Sequence, residues 1–115
     1  MNDKEALKEV IEFVKTQIGY PWWLKHELNG NTRLYEDLKL DGDDAYEFFI
    51  AFQEKYAVNM EHFMLNEYFN NEGFDPIGIS KLFNKKTIIS SKRLNKSIKL
   101  NDLRNSIING KWTIE

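Results

Sequence analysis

Leu34-Tyr35-Glu36-Asp37-Leu38-Lys39-Leu40-Asp41-Gly42-Asp43-Asp44-Ala45-Tyr46-Glu47-Phe48-Phe49 decides how this chain folds, because it joins an apolar loop to an acidic turn and then to an amphipathic helix. The pattern predicts a helix beginning near Asp43 or Asp44 and running to about Tyr56. Ala45, Phe48, Phe49, Phe52 and Tyr56 recur at helical spacing and form one strongly aromatic face, with Glu47, Glu54 and Lys55 outside it. Asp44 and Glu47, three residues apart, have the spacing of a capping box, and carboxylates in a first turn are favoured by the dipole there. Ala57-Val58-Asn59-Met60 reads as a short connection.

Upstream, Asn2 or Asp3 can cap a first helix in which Leu7, Val10, Ile11, Val14 and Ile18 follow the i, i+3, i+4, i+7, i+11 spacing of one face. Gly19 suits a left-handed C-terminal cap, and Pro21 prevents the helix from continuing. Trp22 and Trp23 then open a long loop containing Asn29, Gly30 and Asn31 and anchored at its far end by Leu34 and Leu38. Downstream, a third helix is expected over His62 to Asn70, with Phe63, Met64, Tyr68 and Phe69 as its apolar set and Asn70, Asn71 and Gly73 as its stop. Phe74-Asp75-Pro76-Ile77-Gly78 reads as a turn. The β-branched run within Lys85 to Arg93 reads as a short strand or a solvated loop. A last helix is expected from Leu100 or Asn101 to Asn109, with Leu100, Leu103, Ile107 and Ile108 inward and Gly110 ending it. Trp112 and Ile114 then anchor the tail.

Composition narrows the function classes. The 115 residues, 42% of them hydrophobic, suffice for one domain with its own core. With no cysteine there is no disulfide, thiolate metal site or cysteine nucleophile, which fits a cytoplasmic protein. The polar start resembles no signal peptide, and no window is long and apolar enough to span a membrane. The net charge of −2 conceals an asymmetry: residues 1–80 carry 7 Lys or Arg against 16 Asp or Glu, a net of −9, and residues 81–115 carry 9 against 2, a net of +7. The acidic body would repel nucleic acid and attract a basic protein surface, and the basic third reads first as an internal partner for that body.

No catalytic constellation emerges. A calcium loop placed from Asp37 sets Gly42 at the sharp turn but puts Lys39 and Phe48 where acidic ligands are needed. His26 and His62 lack metal-binding spacing. Ser80 lacks a nucleophile elbow, and Ser90 and Ser91 sit among basic residues. For nucleic acid, Lys85, Lys86, Lys92, Arg93, Lys96, Lys99 and Arg104 offer phosphate contacts, but no aromatic is interleaved among them. The chain is therefore expected to be no enzyme, to hold no metal or cofactor, and to bind neither nucleic acid nor membrane.

The order of elements and the Asp41-Gly42-Asp43-Asp44 turn resemble acyl carrier proteins, in which a serine at the start of the second helix carries a phosphopantetheine arm. More closely, Asp41 to Phe48, Tyr68-Phe69 and Gly110-Lys111-Trp112 make the chain similar to a family of short uncharacterised bacterial proteins described as acyl-carrier-like. The resemblance implies an all-α, carrier-like four-helix bundle with a long first loop, spanning residues 1–115 as one domain, to which the β-branched run adds a short β element over 85–98. Gly42 stands where the carrier serine is expected, so there is no hydroxyl on which to build the phosphodiester. In carrier proteins basic patches on partner enzymes recognise the acidic second helix. That implies a non-carrying interaction module using Asp41, Asp43, Asp44, Glu47 and Glu54. Two further readings stay open: a small immunity or inhibitor protein that neutralises a toxin, and genuine carriage on another serine.

Overall fold

The computed structural model describes residues 1–19, 21–70 and 96–112. They form α1 (Asp3–Ile18), α2 (Gly42–Tyr56), the single turn α3 (Leu65–Tyr68) and α4 (Leu100–Asn109). No strand occurs among them, only two isolated bridges, Arg33 with Lys99 and Asn59 with Lys111. The described residues are thus mostly helical, with three helices of ten residues or more among them. The third helix expected over His62 to Asn70 is reduced to one turn. Of the β element expected over 85–98, residues 96–98 are irregular and the rest lies outside the described residues. So do the turn at Phe74 to Gly78, the helix stop at Asn71 and Gly73, Ser80, Ser90, Ser91 and Ile114.

α1 starts where Asn2 accepts the Glu5 N–H at 2.8 Å, satisfying one of the donors that a helix start leaves open. Its buried stripe is Ala6, Val10, Phe13 and Val14, while Leu7, Ile11 and Ile18 lie half-buried at its edge. The stripe is therefore rotated from the aliphatic spacing, because Phe13 supplies its largest ring. That ring meets Phe48, Phe52 and Tyr56 at centroid distances of 5.1, 5.9 and 5.6 Å. Gly19 ends the helix at φ 90° and ψ −179°, a positive-φ conformation outside the usual left-handed cap but one that glycine adopts at little cost.

α2 contributes Ala45, Phe48, Phe49 and Phe52 to the core. Phe49 lies near Phe63, Phe69 and Trp112 at 4.7, 5.8 and 6.1 Å, so one ring links α2 to the connection after it and to the tail. Offset and edge-on aromatic pairs of this kind add about 0.5–1.5 kcal/mol each beyond their buried area. α4 packs directly against α1. Its inward residues are Leu100, Leu103 and Ser106, with Ile107 half-buried and Ile108 40% exposed. The expectation that Ile108 points inward fails because the small Ser106 takes the inward position, its hydroxyl donating to the Asp102 carbonyl at 3.0 Å.

The two bridges hold α4 at both ends. At its start, Leu34 N–H donates to Ile98 O and Leu100 N–H to Thr32 O, at 2.9 and 3.0 Å. At its end, Asn59 N–H donates to Gly110 O and Trp112 N–H to Asn59 O, both at 2.9 Å. The long first loop is thereby fixed to the last helix, and the tail to the connection after α2.

Candidate functional site

The turn entering α2 is shaped by burial on either side of it. Leu38 and Leu40 both point into the core, and Lys39 between them adopts φ 62°. Gly42 follows at φ 57°, again left-handed, with open space where a Cβ would stand. Between these two, Asp41 is extended and serves as the N-cap residue of α2 without bonding to the helix through its side chain. Its carboxylate instead accepts the Asn70 backbone N–H at 2.7 Å and the Asn70 side-chain amide at 2.8 Å.

That bond corrects two expectations. Asp44 lies inside the first turn, so it and Glu47 form no capping box. Asp41 faces α3 as a structural latch, unlike the other four acids singled out in the sequence. The latch also accounts for the shortened α3: Phe69 turns to extended backbone at φ −138° and ψ 154°, which brings Asn70 to Asp41.

Asp43, Asp44, Glu47 and Glu54 are all exposed. Asp43, Glu47 and Glu54 are separated by four and seven residues, which puts them along one face, with half-buried Ile50 between. The one lysine of α2 leans away from this face, its ammonium lying 5.8 Å from the Phe13 ring and 5.4 Å from the Tyr56 ring. The exposed side of α2 is therefore acidic without an internal counter-charge from its own helix.

Beside the first two turns of α2 lies a groove of about 360 Å³, walled by Ile18, Trp23, Leu38, Leu40 and Phe48. Asp44 and Glu47 border it on the α2 side, with Gln17 and Lys39 elsewhere on its lining. Trp23 is held in place by its indole N–H, which donates to the Asp37 carbonyl at 2.7 Å. Trp22 stands edge-on to Trp23 at 5.8 Å and is 82% exposed. Of the two tryptophans that open the loop, only Trp23 anchors it.

The loop that supports this region carries its own ion pair. Asp37 accepts from the Arg33 backbone N–H at 2.8 Å and from its guanidinium at 3.2 and 3.3 Å. Burial pushes the Asp37 carboxyl up, but the hydrogen bonds and charge of Arg33 outweigh it and hold the carboxyl below its ordinary value. The Arg33 guanidinium is raised in turn, first by its hydrogen bond to Asp37. Elsewhere, Lys96 pairs with Glu67 at 2.7 Å, one contact between the basic third and the acidic body. Ser97 donates to the Glu36 carboxylate. Lys85, Lys86, Lys92 and Arg93 lie outside the described residues.

Among the described residues no three His, Cys, Asp or Glu side chains gather as metal ligands, and no helix is long and apolar enough to cross a membrane. His26 and His62 are exposed, and His26 Nδ1 lies 3.0 Å from the neighbouring Glu27 carbonyl oxygen.

A family model described as "Protein of unknown function (DUF1493)" matches residues 2–115. The chain belongs to the DUF1493 family. Comparison with curated proteins and with solved structures gives no match. For this DUF1493 member, then, functional inference rests on the acidic face of α2, the Gly42 turn and the adjoining groove.

Proposed function

We propose that the chain is a non-catalytic, carrier-like interaction module that presents the acidic face of α2 to a basic surface on another protein. The observation carrying this reading is the exposure of Asp43, Asp44, Glu47 and Glu54 on a helix whose one lysine leans toward the Phe13 and Tyr56 rings. A carrier-like frame is part of the proposal: a first helix, a long loop, α2, a short third helical segment and a final helix follow in the carrier order. Gly42 supports the absence of a phosphopantetheine arm, having neither a hydroxyl nor a backbone conformation that a serine adopts easily.

The test is affinity capture with the wild-type chain and with the Asp43→Lys/Asp44→Lys variant, followed by mass spectrometry. The expected result is a partner retained by the wild type and lost from the variant. Identical captured sets would overturn the proposal.

A second reading, an inhibitor or immunity protein that neutralises a toxin, is favoured by exposed Trp22, since tryptophan is enriched among the residues that dominate tight interfaces. Rescue of cells from a coexpressed toxin encoded beside the gene would select it. Failure of every such neighbour to be neutralised would remove it.

A further inference from the structure

Building on the reading of α2 as a docking surface, we infer that the groove between the end of α1, Trp23 and the first turns of α2 receives one large apolar side chain from a basic protein segment, with Trp22 as its flanking contact. Half-buried Ile18 and Trp23 give the groove an apolar wall, Gln17, Lys39, Asp44 and Glu47 make much of the rest of its lining polar, and its volume of about 360 Å³ falls within the range of about 300–1,000 Å³ for ligand pockets. That space admits a Leu, Phe or similar side chain together with part of the segment that carries it.

Trp22 is the second observation. An indole 82% exposed leaves apolar surface in water that a partner can cover, and it stands edge-on to Trp23, itself tied to the Asp37 carbonyl.

Charge decides the kind of occupant. Asp44 and Glu47 border the groove, Asp43 and Glu54 continue the acidic face along α2, and Lys39 is the cation on the lining. The excess of carboxylates selects a segment with Lys or Arg beside its apolar anchor, and a guanidinium there can also lie against the open Trp22 face. An acidic peptide or a fatty acid, with its own carboxylate, would be repelled from the α2 side.

A random peptide library displayed on phage and panned against the full chain tests the inference, since it presents all these chemistries together. Selected sequences are then synthesised without tryptophan and titrated by fluorescence against the wild type and the Trp22→Ser, Asp44→Lys and Asp43→Lys variants. The expected sequences carry one large apolar residue flanked by Lys or Arg, and bind Trp22→Ser and Asp44→Lys about tenfold or more weakly. Circular dichroism should show Trp22→Ser folded, since that side chain is exposed. Absence of any enriched sequence, or enrichment of acidic ones, overturns the inference. Peptides weakened by Asp43→Lys and not by Trp22→Ser leave the acidic docking surface standing and remove the groove. Peptides weakened by Trp22→Ser alone remove the basic occupant and the acidic-surface reading together. Self-association in sedimentation that Trp22→Ser abolishes would instead make a second copy of the chain the occupant, which also overturns the inference.

Discussion

The Asp41 carboxylate accepts two hydrogen bonds from Asn70, one from the backbone N–H at 2.7 Å and one from the side-chain amide at 2.8 Å, across 29 residues of chain. It ties the entrance of α2 to the exit of α3. Hydrogen bonds to a charged group contribute about 1.5–3 kcal/mol, and removing the acceptor also strands the donors. Asp41→Ala is therefore expected to lower stability by roughly 2–3 kcal/mol in urea unfolding. Asp43→Ala, two residues on and exposed outside the latch, should change it by less than about 0.5 kcal/mol. Equal effects from the two would refute the structural assignment of Asp41.

Gly42→Ser places a hydroxyl where the proposed carrier-like frame would need one. At φ 57° with open space around the Cβ, the cost is one of backbone strain rather than collision, about 1 kcal/mol. The variant should fold with that loss. Incubated with a phosphopantetheinyl transferase and coenzyme A, the wild type is expected to keep its intact mass. An added arm on the wild type would establish carriage on another serine and displace the non-carrying proposal.

A Cβ on Gly30 would run into the side-chain amide of Asn101, beside the bond in which the Asn101 N–H donates to the Gly30 carbonyl at 2.9 Å. Gly30→Ala should make the Asn101 side chain swing aside and give up the bond it accepts from Arg104 at 3.0 Å, a loss of about 0.5–1.5 kcal/mol. The Gly30→Ala/Asn101→Ala double variant relieves the collision, so its loss should be smaller than the sum of the two single losses. Strict additivity in thermal unfolding would speak against this close approach.

Two phenols resist ionisation. Burial raises both Tyr56 and Tyr68 to about 12, helped by the charge of Glu9 for Tyr56 and of Glu67 for Tyr68. The folded chain holds these protons more tightly than the unfolded chain, whose tyrosines ionise near pH 10. Their contribution is thus complete below pH 10 and disappears as pH rises towards 12. Asp37 works in the opposite direction: its contribution is present above 3.8 and fades as pH falls through its lowered folded value. Ultraviolet titration should show a late tyrosinate step coincident with loss of helix, reduced in Tyr56→Phe and Tyr68→Phe. Ionisation of all tyrosines near pH 10 with the fold intact would contradict the burial.

Local signals were legible in the sequence, and long-range ones were not. Asn2 at the start of α1 and Gly110 at the end of α4 act within one turn, so the bounds of both helices follow from neighbouring residues. The end of α2 was bounded correctly, although the left-handed φ of 52° at Ala57 carries no compositional mark. The length of α3 depends on Asp41, far away in the chain, and no periodicity reports that. The exposure of Asp43, Asp44, Glu47 and Glu54 follows from helical spacing against the aromatic face. The inward turn of Asp41 and the outward position of Trp22 do not, because adjacent acids and adjacent tryptophans look alike until the loop closes around one of each.

The hold on α4 at both ends also sets the order in which the molecule can be made. Thr32, Leu34 and Asn59 have their backbone partners in residues 98–112, so α1, the first loop and α2 leave a ribosome before the groups that complete them. Contacts so distant in sequence slow folding, since a long loop must close before they can stabilise anything. The nascent chain is therefore expected to stay open to proteases and chaperones until α4 emerges. Ribosome-bound chains stalled before Ile98 should be digested rapidly, while those that expose Trp112 should resist.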